Sequence, residues 1–269
     1  MLQFEKGSRF RVAPSPTGRP HLGLVRTAYI NYLAAKSCDG SFIVKIDDTD
    51  PTRSEKRFEE EILETFDWLG LKHDEFYRQS ERFDRYREVA ESLIDQGYAT
   101  RLEDGAVKLS LKEIVCDKWY DVIMGEIPVS AAESRLEPML NLALLRADGS
   151  PLYNFCSVVD DLDLKTTVII RGQDHVTNTD KQAQLFQLIG GTLPKFAHVG
   201  LIHHNKKKMS KRDPEASFEY YRNNFKPETI LNGVLRLGWS HPNPKLDKEH
   251  PIIPVQTAVS LFSEGVLKA

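Results

Sequence analysis

Hydrophobic and polar positions in the first fifty residues predict a regular succession of elements. Residues 9–13 (RFRVA) are a short β-prone run that stops at the turn-rich segment PSPTGRP, whose prolines block backbone donors. From Leu22 the apolar residues recur at helical spacing, and this pattern fades before Gly40. Residues 42–46 (FIVKI) then have the pattern of a buried strand. A strand, a turn, a helix and a strand within about 40 residues are typical of a βαβ crossover in a parallel sheet.

The rest of the chain repeats this alternation with one interruption. Two amphipathic helices are indicated by apolar residues in register at Phe58, Ile62, Phe66 and Leu69, and at Phe83, Tyr86, Ala90, Leu93 and Ile94. Between about residues 97 and 140 the periodicity weakens into short β-like pieces, which we interpret as an insertion. Strand patterns at 166–171 and 196–202 flank a helical pattern at 178–189, and the tail from Ser217 is helical. We therefore predict an α/β protein with a Rossmann-type doubly wound parallel sheet, split by a short insertion and followed by a C-terminal helical segment.

Composition and charge exclude several classes of protein. The chain is 41% hydrophobic and 28% charged, as in soluble globular proteins. No apolar run of about 18 residues is present and the first ten residues lack a signal-peptide core, so we expect a cytoplasmic protein without a membrane partner. The three cysteines are far apart, so neither a disulfide framework nor a zinc site is expected. Because the net charge is -3, a nucleic-acid partner would have to contact a local basic patch.

Residues 203–212 (HHNKKKMSKR) are the leading candidate for that patch. Four lysines and an arginine occupy the last seven positions. Taken alone, such a run is more often a solvated basic loop than an anion clamp.

A second loop, PSPTGRPHLGL, follows the first predicted strand and leads into the first helix. Gly18 and Gly23 allow close backbone approach, His21 can donate to a phosphate oxygen, and the positive end of the helix points to the same place. A proline-rich turn with a capping glycine explains this segment alone equally well. Two phosphate-oriented loops on one sheet, however, favour nucleotide chemistry, with Lys208 and Lys211 placed to stabilise charge on departing pyrophosphate.

The motifs resemble those of the class I aminoacyl-tRNA synthetases, and most closely the glutamyl-tRNA synthetases. PHLG at 20–23 resembles the HIGH signature of that family, and KMSKR at 208–212 resembles its KMSKS signature. The flanking segments are similar to the glutamyl type: RVAPSPTG at 11–18, IDDTDP at 46–51, YNFCSVVDD at 153–161 and IRGQDH at 170–175. The resemblance covers about residues 8–240.

This resemblance implies that glutamate is activated by ATP, accompanied by Mg²⁺, and transferred to tRNA by a glutamate-tRNA ligase. It assigns catalysis to His21, Gly23, Lys208 and Lys211. It assigns ATP binding to these four together with Pro14, Thr17, Gly18, Met209 and Ser210. It assigns glutamate binding to Arg11, Ala13, Ser15, Asp47, Tyr153 and Arg171. No residue is assigned to a metal. An arginine fork suits a side-chain carboxylate, and an acidic residue suits an α-ammonium.

The individual residues also have simpler interpretations. Asp47 can belong to a solvated turn, Arg171 to a surface ion pair, and Asp160 and Asp161 to contacts with a neighbouring loop. The sequence also departs from the family in places: Asp47 stands where bacterial glutamyl enzymes usually have Glu, and Gln173 where Glu is common.

The predicted organisation has four parts: residues 1–97 and 141–205 as the two halves of the Rossmann catalytic domain, 98–140 as a reduced acceptor-binding insertion, and 206–269 as the KMSKR loop with a helical stem-contact segment. We expect a monomer that contacts the acceptor end of tRNA and does not itself read an anticodon.

Three alternative functions remain open. They are a glutamyl-queuosine-type tRNA synthetase, a stand-alone glutamate-activating paralogue with a non-tRNA acceptor, and a non-catalytic module that binds tRNA or an amino acid. The resemblance implies that ordinary glutamyl enzymes activate glutamate only with tRNA present, whereas the queuosine-type relatives do not need it.

Overall fold

A computed structural model describes residues 4–129, 133–204, 207–208, 217–249 and 252–268. Its strands are β1 Arg9–Val12, β2 Ser41–Ile46, β3 Glu75–Arg78, β4 Ala99–Arg101, β5 Val107–Leu109, β6 Lys118–Asp121, β7 Gly125–Pro128, β8 Ala143–Leu145, β9 Val168–Gly172, β10 Lys195–Val199, β11 His203–His204, β12 Lys207–Lys208, β13 Trp239–Ser240 and β14 Val266–Leu267. Its α-helices are α1 Leu22–Ser37, α2 Lys56–Trp68, α3 Phe83–Asp95, α4 Glu133–Leu140, α5 Tyr153–Asp163, α6 Val176–Leu188, α7 Phe218–Asn224, α8 Pro227–Arg236, α9 Pro244–Glu249 and α10 Val255–Phe262. Short 3₁₀ helices span Gln79–Arg82 and Gln173–His175.

The centre of the fold is a seven-stranded sheet with the order β3-β2-β1-β9-β10-β6-β7. All neighbouring strands in it run parallel except β6 and β7. Phe10 of β1 pairs with Phe42 on one side and Val168 on the other, so strands from the two halves of the sequence meet at β1. This arrangement confirms the predicted doubly wound α/β sheet. In such sheets ligands bind beyond the carboxyl ends of the strands where the strand order reverses, and here that point lies between β1 and β9.

The stretch 98–140 divides between two sheets. Strands β4 and β5 form a separate three-stranded sheet with β8, whereas the β6–β7 hairpin extends the central sheet beside β10. The hairpin is held there by buried Trp119, whose ring packs edge-on against Phe196 at 5.4 Å. Part of the predicted insertion is therefore continuous with the Rossmann sheet, and the boundaries at 97 and 140 stay predictions.

Helix α1 is buried on almost every side. It contacts the central sheet on one face and helices α8 and α10 on the other. Of its buried polar atoms, Asn31 Nδ2 donates to the carbonyl oxygen of Ile170 at 3.1 Å, whereas Asn31 Oδ1 and Arg26 Nε have no hydrogen-bond partner among the described residues. The sheet and the C-terminal helices together fix the position of this helix.

In the part of the chain that the structure describes, no helix is long and apolar enough to cross a membrane.

Candidate active site

A cavity of about 430 Å³ opens at the carboxyl ends of β1, β2 and β9, beside the N-terminus of α1. Ten of the predicted site residues line it: Arg11, Ala13, Pro14, Ser15, Gly18, His21, Gly23, Asp47, Tyr153 and Arg171. The structure thus brings together residues from both halves of the sequence at the position expected for a doubly wound sheet.

The remaining predicted site residues are placed differently. Thr17 does not line the cavity, and its backbone N–H donates to the carbonyl oxygen of Ser15 at 2.8 Å. Lys208 lies in β12, which pairs antiparallel with β11. Its side chain lies outside the described part of the chain, as do Met209, Ser210 and Lys211, so the predicted roles of this loop stay predictions.

His21 forms the N-cap of α1. Its Nδ1 accepts from the backbone N–H of Leu24 at 3.2 Å, so the neutral ring carries its proton on Nε2. Gly23 leaves room for this ring, because a Cβ there would lie 3.0 Å from two of its atoms, which is closer than ordinary van der Waals contact. The ring and the positive end of the helix dipole therefore occupy the same side of the cavity, which is an arrangement suited to an anion.

Arg171 is a buried cation, not the surface ion-pair partner of the simpler interpretation. Its side chain donates from Nε to His198 Nε2 at 3.2 Å and from Nη2 to Thr179 Oγ1 at 2.7 Å. Its Nη1 has no hydrogen-bond partner, and no ion pair within the described ranges includes Arg171. Burial lowers the pKa of Arg171 to about 10, so it is charged at neutral pH. A guanidinium in this state lacks the carboxylate that normally accompanies a buried charge.

Arg11 differs from Arg171 because its counter-charge is already in the protein. Its Nε and Nη2 donate to the two carboxylate oxygens of Asp161 at 2.7 and 3.1 Å. Although burial opposes it, this pairing keeps the pKa of Asp161 below its ordinary value. The structure thus corrects the idea that Asp161 merely contacts a neighbouring loop, because it is the buried partner of a cavity residue.

Asp47 is buried and not part of a solvated turn. Its Oδ1 accepts from Lys45 Nζ at 2.5 Å, and the same ammonium lies 3.2 Å from Asp160. Burial raises the pKa of Asp47 to about 6. Burial alone would lower the pKa of Lys45, but the surrounding carboxylates raise it above its ordinary value. Asp47 therefore faces the cavity as a carboxylate held in place by a buried lysine.

Lys45 is a site residue that the sequence analysis did not identify. It is 1% exposed and lies within the strand pattern FIVKI. The signal was present, because a charged side chain in an otherwise apolar buried strand needs a charged partner.

Tyr153 and His175 complete the wall between β1 and β9. Tyr153 Oη lies 3.0 Å from His175 Nδ1. Burial lowers the pKa of His175 to about 4, so its ring is neutral at neutral pH. The two rings add hydrogen-bonding capacity to the cavity without adding charge.

The cavity therefore presents to one ligand a cation that has no counter-charge in direct contact among the described residues, a carboxylate and a helix N-terminus. Asp47 suits an ammonium group, Arg171 suits a carboxylate, and the end of α1 suits a phosphate. Together these groups are complementary to an acidic amino acid placed beside a nucleotide.

The family model described as class I tRNA synthetases (E and Q), catalytic domain, matches residues 8–113 and 106–253. The chain is 42% identical over 254 residues to glutamate--tRNA ligase 2 of Neorickettsia sennetsu, covering 94% of this chain and 59% of that protein. It is 37% identical over 298 residues to glutamate--tRNA ligase of Hydrogenobaculum sp., covering 94% of this chain and 62% of that protein.

A solved structure is similar over the same region. The glutamate tRNA ligase of Elizabethkingia meningosepticum, in complex with its amino acid, matches with a TM-score of 0.84 and 29% identity. The match covers 98% of this chain and 66% of that one. The chain thus spans about three fifths of the curated relatives that it matches, 59% and 62% of the two above.

Proposed function

Because the chain belongs to the class I tRNA synthetases (E and Q), with a match to their catalytic domain over residues 8–253, we propose that it activates glutamate with ATP and transfers it to tRNA. The observation that best supports glutamate is the buried Arg171 side chain, which lines the cavity and whose Nη1 has no hydrogen-bond partner among the described residues. A side-chain carboxylate would supply the missing counter-charge, whereas the amide of glutamine would not.

The proposed first step joins glutamate to AMP. An α-carboxylate oxygen of glutamate attacks the α-phosphorus of ATP and forms a new P–O bond. The bond from that phosphorus to the oxygen that bridges to the β-phosphate breaks, and pyrophosphate leaves with the electron pair. In the second step a terminal ribose hydroxyl of tRNA attacks the carbonyl carbon of glutamyl-adenylate and forms an ester bond. The bond from that carbon to the phosphate oxygen breaks, AMP leaves with the electron pair, and the hydroxyl proton passes to water.

We assign the described residues by the groups they present. Asp47 binds the α-ammonium of glutamate, and Arg171 binds its side-chain carboxylate. His21 donates from Nε2 to a phosphate oxygen beside the N-terminus of α1, where close approach of the ligand requires Gly23. This chemistry needs little acid–base catalysis and depends on positioning and on stabilisation of developing charge. Lys208 and Lys211 are proposed, from their motif alone, to stabilise the departing pyrophosphate.

Mg²⁺ bound to ATP would neutralise part of the phosphate charge. Within the described residues no three or more His, Cys, Asp or Glu side chains are grouped as a metal site.

The proposal is tested by exchange of labelled pyrophosphate into ATP, run with glutamate, glutamine or aspartate, each with and without total tRNA. Glutamate-specific exchange that needs tRNA is the expected result. Exchange without tRNA would favour the queuosine-type or non-tRNA acceptor, and no exchange under any condition would favour a non-catalytic binding module. Arg171→Met should abolish the preference for glutamate, whereas Arg85→Met, on an exposed ion pair, should leave it unchanged.

A further inference from the structure

Behind Arg171 lies a chain of buried polar side chains that does not line the cavity. Asp121, Thr179 and His198 each have 0% exposure. They come from β6, α6 and β10; α6 and β10 follow one another in sequence, whereas β6 ends more than 50 residues before α6 begins and meets them only in the folded protein. Polar groups buried this completely must satisfy one another.

The hydrogen bonds of Asp121 determine the tautomer of His198. Asp121 Oδ2 accepts from the backbone N–H of His198 at 3.0 Å and lies 2.7 Å from its ring Nδ1. Oδ1 of the same carboxylate accepts from the backbone N–H groups of Ile123 and Met124 at 2.8 and 3.0 Å. Because an ionised carboxylate only accepts, the ring proton of His198 must be on Nδ1.

That tautomer leaves Nε2 of His198 as an acceptor for Arg171. Nε of Arg171 donates to it at 3.2 Å, and Nη2 donates to Thr179 Oγ1 at 2.7 Å. The Thr179 hydroxyl lies 3.0 Å from His198 Nε2, but because Nε2 already accepts from Arg171, it donates its one hydrogen to the carbonyl oxygen of His175 at 3.3 Å. The opposite tautomer would place two donors against each other at the Arg171 contact.

We propose that Asp121, His198 and Thr179 form a positioning relay that orients the Arg171 guanidinium and thereby sets the preference for a carboxylate over an amide side chain. This inference rests on the proposed function for the identity of the ligand. The relay anchors one edge of the guanidinium with neutral acceptors and leaves Nη1 for the ligand. A carboxylate in direct contact, like Asp161 on Arg11, would instead neutralise the charge that the ligand must meet.

Two substitutions of His198 separate this role from simple packing. The amide of glutamine reaches the position of Nε2, so His198→Gln keeps an acceptor for Arg171 but loses the contact with Asp121. The amide of asparagine reaches the position of Nδ1, so His198→Asn keeps the contact with Asp121 but loses the acceptor. Exposed His73 allows matched controls, His73→Gln and His73→Asn.

The assay is glutamate-dependent pyrophosphate exchange in the presence of tRNA. Since a hydrogen bond to a charged group is lost, His198→Asn should raise KM for glutamate by about tenfold or more. The preference for glutamate over glutamine should fall with it, and KM for ATP should be unchanged. His198→Gln should stay closer to the unsubstituted protein on all three measures. Equal effects of the two variants, or equal increases in KM for glutamate and for ATP, would show a packing role and overturn the inference.

A measurement of the His198 tautomer, which does not depend on enzyme activity, distinguishes failure of the relay from failure of the proposed function. In the full chain labelled with ¹⁵N-histidine, the ring signals that disappear in His198→Gln should be those of the Nδ1–H tautomer. Finding the Nε2–H tautomer would overturn the relay, whatever the enzyme assay shows. If the tautomer is as expected but the unsubstituted protein neither exchanges pyrophosphate nor binds L-glutamate, the proposed function fails while the relay geometry stands. Thr179→Val, which removes one acceptor with little change of shape, should also raise KM for glutamate and provides a second variant if a histidine substitution prevents folding.

Discussion

Replacing Arg171 by methionine should make the protein more stable and less active at the same time. Burial lowers the pKa of Arg171 to about 10, and each pKa unit corresponds to about 1.4 kcal/mol. The charged guanidinium therefore costs the ligand-free protein about 3 kcal/mol at neutral pH. Methionine has a similar length and no charge, and the two partners that Arg171 leaves, His198 and Thr179, lie 3.0 Å apart and can bond to each other.

We expect the free energy of unfolding to rise by about 1 to 3 kcal/mol in Arg171→Met, the lower value allowing for two lost hydrogen bonds. Glutamate should lose the charge that it meets in the cavity. Truncating one partner of a buried charge pair costs about 2 to 5 kcal/mol, so kcat/KM for glutamate should fall by at least about thirtyfold.

Urea unfolding of the ligand-free protein measures the first quantity, and pyrophosphate exchange with tRNA measures the second. The sign of the change in the free energy of unfolding distinguishes a binding role from a structural one, since replacing a purely structural arginine would make the protein less stable. A less stable variant that retains glutamate activation would refute the assignment of Arg171.

Three further outcomes are expected. Asp161→Asn leaves Arg11 as a buried, unpaired cation and should lower the free energy of unfolding by about 3 to 5 kcal/mol in urea titrations, whereas the same change at fully exposed Asp84 should have no measurable effect. Because the pKa of Asp47 is raised to about 6, KM for glutamate should rise as the pH falls below 6, where protonation removes the charge that meets the α-ammonium. Asp47→Asn should show a high KM that does not change with pH. A steady KM in the unsubstituted protein down to pH 5 would contradict this role. Lys211→Ala should slow pyrophosphate exchange by about 10²- to 10³-fold, as expected for the loss of one donor that stabilises transition-state charge, and should change KM for glutamate less. An unchanged rate would reject the role assigned to Lys211 from its motif.

The sequence was sufficient for the elements whose pattern is local. Helix α1 was predicted from Leu22 and begins there, and the strand predicted at 42–46 is β2. These elements bury apolar faces that repeat within a few residues, so a short window contains the whole signal.

Helix α5 was not predicted, because long-range partners determine its pattern. It buries Asp160 and Asp161. Charged residues are normally assigned to the solvent-facing side of an amphipathic helix, so at these positions they interrupt the apolar stripe by which such a helix is predicted. Asp161 pairs with Arg11, 150 residues away in sequence. No local window contains both partners of such a pair. Lys45 is a different case, because its partner Asp47 is only two residues away and a charged residue within an apolar strand is a local signal that the sequence analysis did not use.

The position of the β6–β7 hairpin was likewise not readable from its own residues. A hairpin specifies its internal register through its turn and its alternation, but not the sheet that it joins. The sheet that the hairpin joins depends on the burial of Trp119 against Phe196. Asp121 lies at the end of β6, so it contacts His198 and the relay to Arg171 only because the hairpin lies beside β10.

The enclosure of α1 constrains the order in which the chain can fold. The helix packs on β1 and β2, which are close to it in sequence, and also on β9, which begins at Val168, on α8, which ends at Arg236, and on α10, which ends at Phe262. Contacts at such sequence separations form late and slow folding. A nascent chain leaving the ribosome therefore exposes the apolar side of α1 that α8 and α10 cover until those two helices have been synthesised. We expect that interval to be the one in which the polypeptide depends most on chaperones.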